Sequence, residues 1–176
     1  MGWYQNSKDS KHKVFVSYYH AEDQYYRDEF DKRFNHLFIS KSVEPGDIDS
    51  DSSDEYIKRL IQDEYLTDSS VVLVLVGPKT HCRKHVDWEI SAGLNKKVGG
   101  YSGLVGLLLP GASYSDIPPR LTDNINSRYA EFHTWGSACS SNETIKSVIQ
   151  TAFDNRISES DKIKNNRKQY LWNTCG

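Results

Sequence analysis

Residues 71–76 read VVLVLV and are followed at once by Gly77-Pro78. Six unbroken, mostly β-branched apolar residues with no polar alternation are the pattern of a strand buried on both faces, as in the middle of a parallel sheet. Gly-Pro then stops it. Outward from this strand the chain alternates. Upstream, Val14-Phe15-Val16-Ser17-Tyr18 reads as an opening strand. Tyr26, Phe30 and Phe34 at four-residue spacing make an amphipathic helix over Asp23 to Phe34, and Leu37-Phe38-Ile39 a short second strand. Glu44 to Asp54 is an acidic loop with Pro45-Gly46 as its turn. Ser52 with Glu55 fits a capping box for a helix whose stripe is Ile57, Leu60, Ile61 and Tyr65.

Downstream, Val86, Ile90 and Leu94 mark a third helix, Leu104 to Leu109 a fourth strand stopped by Pro110, and Gly111 to Asp123 a loop. Tyr129 to Phe132 fits an edge strand, and Ile145, Val148, Ile149, Ala152, Phe153 and Ile157 form the longest helical stripe. Strands alternating with helices imply right-handed βαβ crossovers. The expectation is a three-layer α/β sandwich of flavodoxin-like type: five mainly parallel strands in order 2-1-3-4-5, with helices on both faces. The organisation is a polar segment over 1–12, one domain over 13–157, and a polar, basic tail over 158–176.

Composition restricts the function. The 176 residues carry 22 Lys and Arg against 24 Asp and Glu, a net charge of −2, so no broad positive field exists to gather nucleic acid or anionic lipid. Leu, Ile, Val and Phe number 40, above the level at which disorder is the default. The longest apolar run is six residues, far short of the roughly 20 that span a bilayer. Residues 1–13 lack the apolar stretch of a signal peptide. Cys82, Cys139 and Cys175 are odd in number and unpaired in spacing, which speaks against a disulfide framework. A cytoplasmic domain without membrane or nucleic-acid partners is expected.

In a 2-1-3-4-5 sheet, ligands bind beyond the carboxyl ends of strands 1 and 3. That places Ser17 to His20, the Glu44–Asp54 loop and Gly77 to Glu89 around one crevice. No Walker loop or dinucleotide glycine fingerprint follows the first strand. Asp47, Asp49 and Asp51 alternate as in a calcium loop, but Ser52 stands where the turn needs Gly and Lys58 where a bidentate Glu belongs. His81, His85 and Glu89 repeat every four residues with Cys82 alongside, yet i to i+8 spans about 12 Å of helix, too far for one ion. No metal site is expected. Glu89, beside Trp88 on the first turns of the third helix, is most simply a solvated charge favoured by the helix dipole. Its place at the crevice keeps a catalytic reading open.

Taken together, Val14 to His20, the strand ending at Gly77, and Arg83-Lys84-His85-Val86-Asp87-Trp88-Glu89-Ile90 resemble bacterial TIR-like domains. The likeness runs from Lys13 to Ile157. It is greatest to the branch first described as a TIR-like domain of unknown function, which includes the TIR-like subunit of the Thoeris anti-phage defence system. The resemblance implies a domain that binds NAD as substrate, with no permanent cofactor, and cleaves its nicotinamide–ribose bond. It assigns the essential glutamate to Glu89 and first-strand pocket positions to Ser17, Tyr18 and His20, and it sets Asp47 in the mobile loop. Members often carry Trp four positions before the glutamate; His85 stands there, and His85 or Trp88 is expected to form that wall. A cyclic or otherwise modified ADP-ribose would then carry a signal to a separate effector, and self-association is expected. The alternative from the same fold is a non-catalytic interaction module.

Overall fold

The computed structural model describes residues 11–49 and 51–175, so most of the polar N-terminal segment lies outside the described residues. Five strands form one sheet: β1 (His12–Ser17), β2 (Phe38–Lys41), β3 (Val71–Val76), β4 (Gly103–Leu108) and β5 (Glu131–Thr134). Their order is β2-β1-β3-β4-β5 and every pairing is parallel. β1 pairs with β2 on one side (His12 with Phe38) and with β3 on the other (Val14 with Val71), so the chain reverses its direction of winding between β1 and β3.

All six β3 residues are buried, as their unbroken apolar run requires. Val71, Leu73 and Leu75 face one layer, where Phe30 and Phe34 of α1 (His20–Phe34) and Ile145, Ile149 and Ala152 of α6 (Asn142–Ser158) cover them. Val72, Val74 and Val76 face the other, beneath α2 (Asp54–Leu60), α3 (Lys84–Gly93) and α4 (Pro119–Asn126). Burying one such side chain is worth about 1.5–3 kcal/mol, so β3 is the energetic centre of both layers. The short α5 (Trp135–Ala138) links β5 to α6.

Several local expectations are corrected. Ser53, not Ser52, caps α2, accepting from the Tyr56 N–H at 3.2 Å. The helix continues as a π-helical turn over Ile61–Leu66. The stretch read as loop up to Asp123 contains most of α4, which Pro119 opens from N1, where its missing N–H has no partner to lose. Ile157 is exposed and outside the packed stripe of α6. β4 begins at Gly103 and includes Gly106: a Cβ at 103 would strike the Ala152 carbonyl, so glycine admits α6 to the sheet. At the end of β3, a Cβ on Gly77 would overlap the Asp23 carboxylate. That carboxyl is itself pushed up to about 6, by burial first and then by Glu22.

The tail packs onto the domain. Its segment from Ile163 to Cys175 lies as a strap along α3 and α4. Arg120, fully buried, pairs with Asp87 at 2.8 Å and donates to Asn165 Oδ1 and the Arg167 carbonyl, while Asp87 accepts from the Tyr170 N–H. The head of α3 has no side-chain cap of its own; Asn173 Oδ1 accepts from the Lys84 N–H at 3.0 Å. Cys82 and Cys175 are joined as a disulfide across 93 residues of sequence, overturning the reading of the cysteines as unpaired. Cys139 is free and buried.

Candidate functional site

At the carboxyl ends of β1 and β3 lies a cavity of about 290 Å³. Tyr18, Tyr19, His20 and Ala21 line it from the β1–α1 turn, Val43 and Ile48 from the loop after β2, Ile61 from the π-helical turn, and Arg83, His85, Val86 and Glu89 from the start of α3. Helical periodicity sets the last group: His85 and Glu89, four apart, share a face, and Val86 and Ile90 anchor the adjoining one in the core.

Glu89 is buried, not solvated, at 5% exposure. Ser17, the last residue of β1, donates its Oγ–H to Glu89 Oε1 at 2.9 Å. Loss of hydration pushes the Glu89 carboxyl up to about 8, the Ser17 hydrogen bond opposing this only in part. In the unliganded pocket the carboxyl is therefore mostly protonated at neutral pH. His20 and His85 are both pushed down, first by burial; for His85 the neighbouring Lys84 and Arg83 add to this, whereas at His20 Glu44 pulls the other way. Both imidazoles are neutral there. Arg83 lies 4.3 Å over the Tyr19 ring and supplies the positive charge among the lining groups. Tyr18 donates to Gln24 at 2.7 Å, which fixes the ring, and lies 3.3 Å from Glu44 Oε2.

Of the residues expected from sequence, Tyr18, His20, His85 and Glu89 line the one cavity, with Ser17 bonded to Glu89 behind it. Asp47 does not line it. Its carboxylate accepts from the Glu44 N–H at 3.0 Å and the Tyr65 hydroxyl at 3.3 Å, closing the loop that presents Ile48. Trp88 is also elsewhere, because a 100° step per residue turns it away from Glu89. It is 1% exposed, donates from Nε1 to the Tyr170 carbonyl at 2.9 Å, and holds Lys58 and Lys84 over its ring at 4.9 and 5.1 Å. It anchors the strap and forms no wall of the cavity. Arg83, Tyr19 and Ile48 lie in the three stretches that the sequence places at the crevice, but none was named as a site residue. Arg83 stood in the quoted segment, and a cation immediately before a crevice helix was the signal available.

An all-parallel 2-1-3-4-5 sheet whose first and third strands open onto a cavity with a buried carboxyl defines an α/β domain of flavodoxin-like type. Residues 15–114 match the family described as Thoeris protein ThsB, TIR-like domain, and the chain belongs to that family. It is a Thoeris defence-related TIR-like protein. No curated protein matches the chain. The matched span contains every cavity-lining residue, while β5, α6 and the strap lie beyond it. Among the described residues no helix is long and apolar enough to cross a membrane.

Proposed function

We propose that this chain breaks the nicotinamide–ribose bond of NAD at the β1/β3 cavity, with Glu89 as its catalytic residue. The observation that carries the reading is the buried Glu89 carboxyl, oriented by Ser17 at 2.9 Å within a cavity whose other lining groups are aromatic and apolar apart from the Arg83 guanidinium. A volume of about 290 Å³ lies at the small end for an organic ligand, so the cavity accepts the nicotinamide riboside end and leaves the adenylate outside. Arg83 is the lining group suited to a phosphate.

The ionisation of Glu89 supports the same assignment. A cationic nicotinamide ring nearby favours the carboxylate, so substrate binding draws the proton away, and the neutral His20 and His85 are acceptors in the same cavity. As the C–N bond breaks, both electrons leave with nicotinamide, which departs neutral and needs no general acid. Positive charge develops on the ribose, opposite an anion already in place. Water attacking that carbon gives ADP-ribose; an adenine nitrogen of the same molecule gives a cyclic isomer, an outcome favoured where water is excluded. The released nucleotide then acts on a separate effector, and association of copies shields the cavity.

The test is incubation of the purified chain with NAD over a wide protein concentration range, with and without an extract of phage-infected cells, reading products by mass. Nicotinamide release by the wild type and its loss in Glu89→Gln are expected. Equal release by both proteins overturns the assignment. Absence of both NAD binding and cleavage under every condition favours the non-catalytic interaction module instead.

A further inference from the structure

Where the strap ends, three donor atoms converge that the proposed NAD chemistry does not use. His81 Nε2, Cys82 Sγ and Cys175 Sγ all lie within 4.8 Å of one another. Cys82 is buried, and with His81 it forms the 3₁₀ turn Thr80–Cys82 just ahead of α3; Cys175 arrives from the exposed end of the chain. A disulfide accounts for the two sulfurs but not for the imidazole. Its Nε2 is 3.3 Å from Cys82 Sγ and 3.9 Å from Cys175 Sγ, although disulfide sulfurs have no proton to donate and accept hydrogen bonds weakly. The other ring nitrogen, Nδ1, is buried without a hydrogen-bond partner, and the Asp116 carboxylate stands 3.8 Å from it. One imidazole nitrogen toward two sulfurs and the other toward a carboxylate is the arrangement of a metal-ligating histidine whose tautomer is set by an acidic neighbour.

We propose that, with its two cysteines reduced, the chain binds one zinc-class divalent cation through His81, Cys82 and Cys175. Two thiolates and one imidazole are a soft ligand set suited to zinc, with a fourth position left to water. Reduction of the disulfide takes two electrons and two protons from a thiol or phosphine reductant. Metal binding then releases the two thiol protons to solvent and forms two metal–sulfur bonds and one metal–nitrogen bond, with no further electron transfer. Because the ligands come from the turn before α3 and from the end of the strap, the cation ties the tail to the helix that carries Glu89.

The full-length chain, reduced with a phosphine and freed of reductant under anaerobic conditions, is titrated with zinc against a chromophoric chelator and, separately, with cobalt(II). The expected result is one cation per chain, with thiolate-to-cobalt charge-transfer absorption and the strong visible bands of a tetrahedral site. Cys175→Ser, at an exposed position, leaves the fold intact and weakens zinc binding by about 100-fold or more. His81→Ala does the same while both thiols stay available to a thiol reagent. No stoichiometric zinc in the reduced wild type, undiminished zinc binding in Cys175→Ser, or a cobalt spectrum without thiolate bands each overturns the proposal. In all three cases the sulfurs serve as a disulfide link alone.

Discussion

Replacing Glu89 by Gln tests the burial of that carboxyl through stability as well as turnover. The Glu89 carboxyl titrates at about 8 in the folded chain, against 4.5 when hydrated. Between those values the folded protein holds a proton that the unfolded chain has lost, so stability falls as pH rises through the window and levels off above about 8. At about 1.36 kcal/mol per pH unit the full loss is about 5 kcal/mol, and about 3 kcal/mol of it has accrued by pH 7. Glutamine has the shape of the protonated acid, accepts from Ser17 and does not titrate. The variant should match the wild type at pH 4 and exceed it progressively above. At pH 7 the gain is about 10 °C in Tm for a chain of this size. Thermal and urea unfolding of both proteins at pH 4, 5.5, 7 and 8.5, in one ionic strength, measure it. Nicotinamide release should fall at least about 10²–10³-fold in the same variant, because the anion opposite the developing charge is gone. Parallel stability curves across this range would refute the reasoning, since they would mean that Glu89 is as hydrated in the folded state as in the unfolded one.

Trp88→Phe should lower stability by about 1–2 kcal/mol, through the lost bond to the Tyr170 carbonyl, and leave NAD affinity within about twofold; urea unfolding and calorimetry check the two halves. Asp87→Ala strands the fully buried Arg120 charge and should cost about 3–5 kcal/mol, with the strap released to protease cleavage between Ile163 and Tyr170. Gly77→Ala forces a methyl group into the Asp23 carboxylate and should cost about 1–3 kcal/mol, most of it recovered when Asp23→Ser is added. Arg83→Ala should raise KM for NAD with little change in Tm, because the guanidinium rests on the Tyr19 ring and holds no buried partner.

The parallel sheet and its crevice were legible along the chain because they rest on local signals. An unbroken VVLVLV run marks a strand covered on both faces, and the strand–helix alternation around it leaves one right-handed winding, whose switch point falls between β1 and β3. Helical spacing set His85 and Glu89 on that crevice. The same spacing turned Trp88 away, although composition alone made it an attractive ring for a ligand. Tertiary structure decided the rest, since each remaining property joins residues far apart in sequence. Ser17 reaches Glu89 across 72 positions and Trp88 meets Tyr170 across 82, contacts that no periodicity encodes. Whether Glu89 is a hydrated charge or a protonated acid depends on its burial, at a cavity whose walls come from the β1–α1 turn, the loop after β2, the π-helical turn and α3. The polar tail shows no helical or strand period, and its order rests on backbone and amide groups that meet buried partners in Asp87, Arg120 and Asn124. Cys82 and Cys175 looked unrelated at 93 residues apart, and became neighbours only because the strap returns to the head of α3.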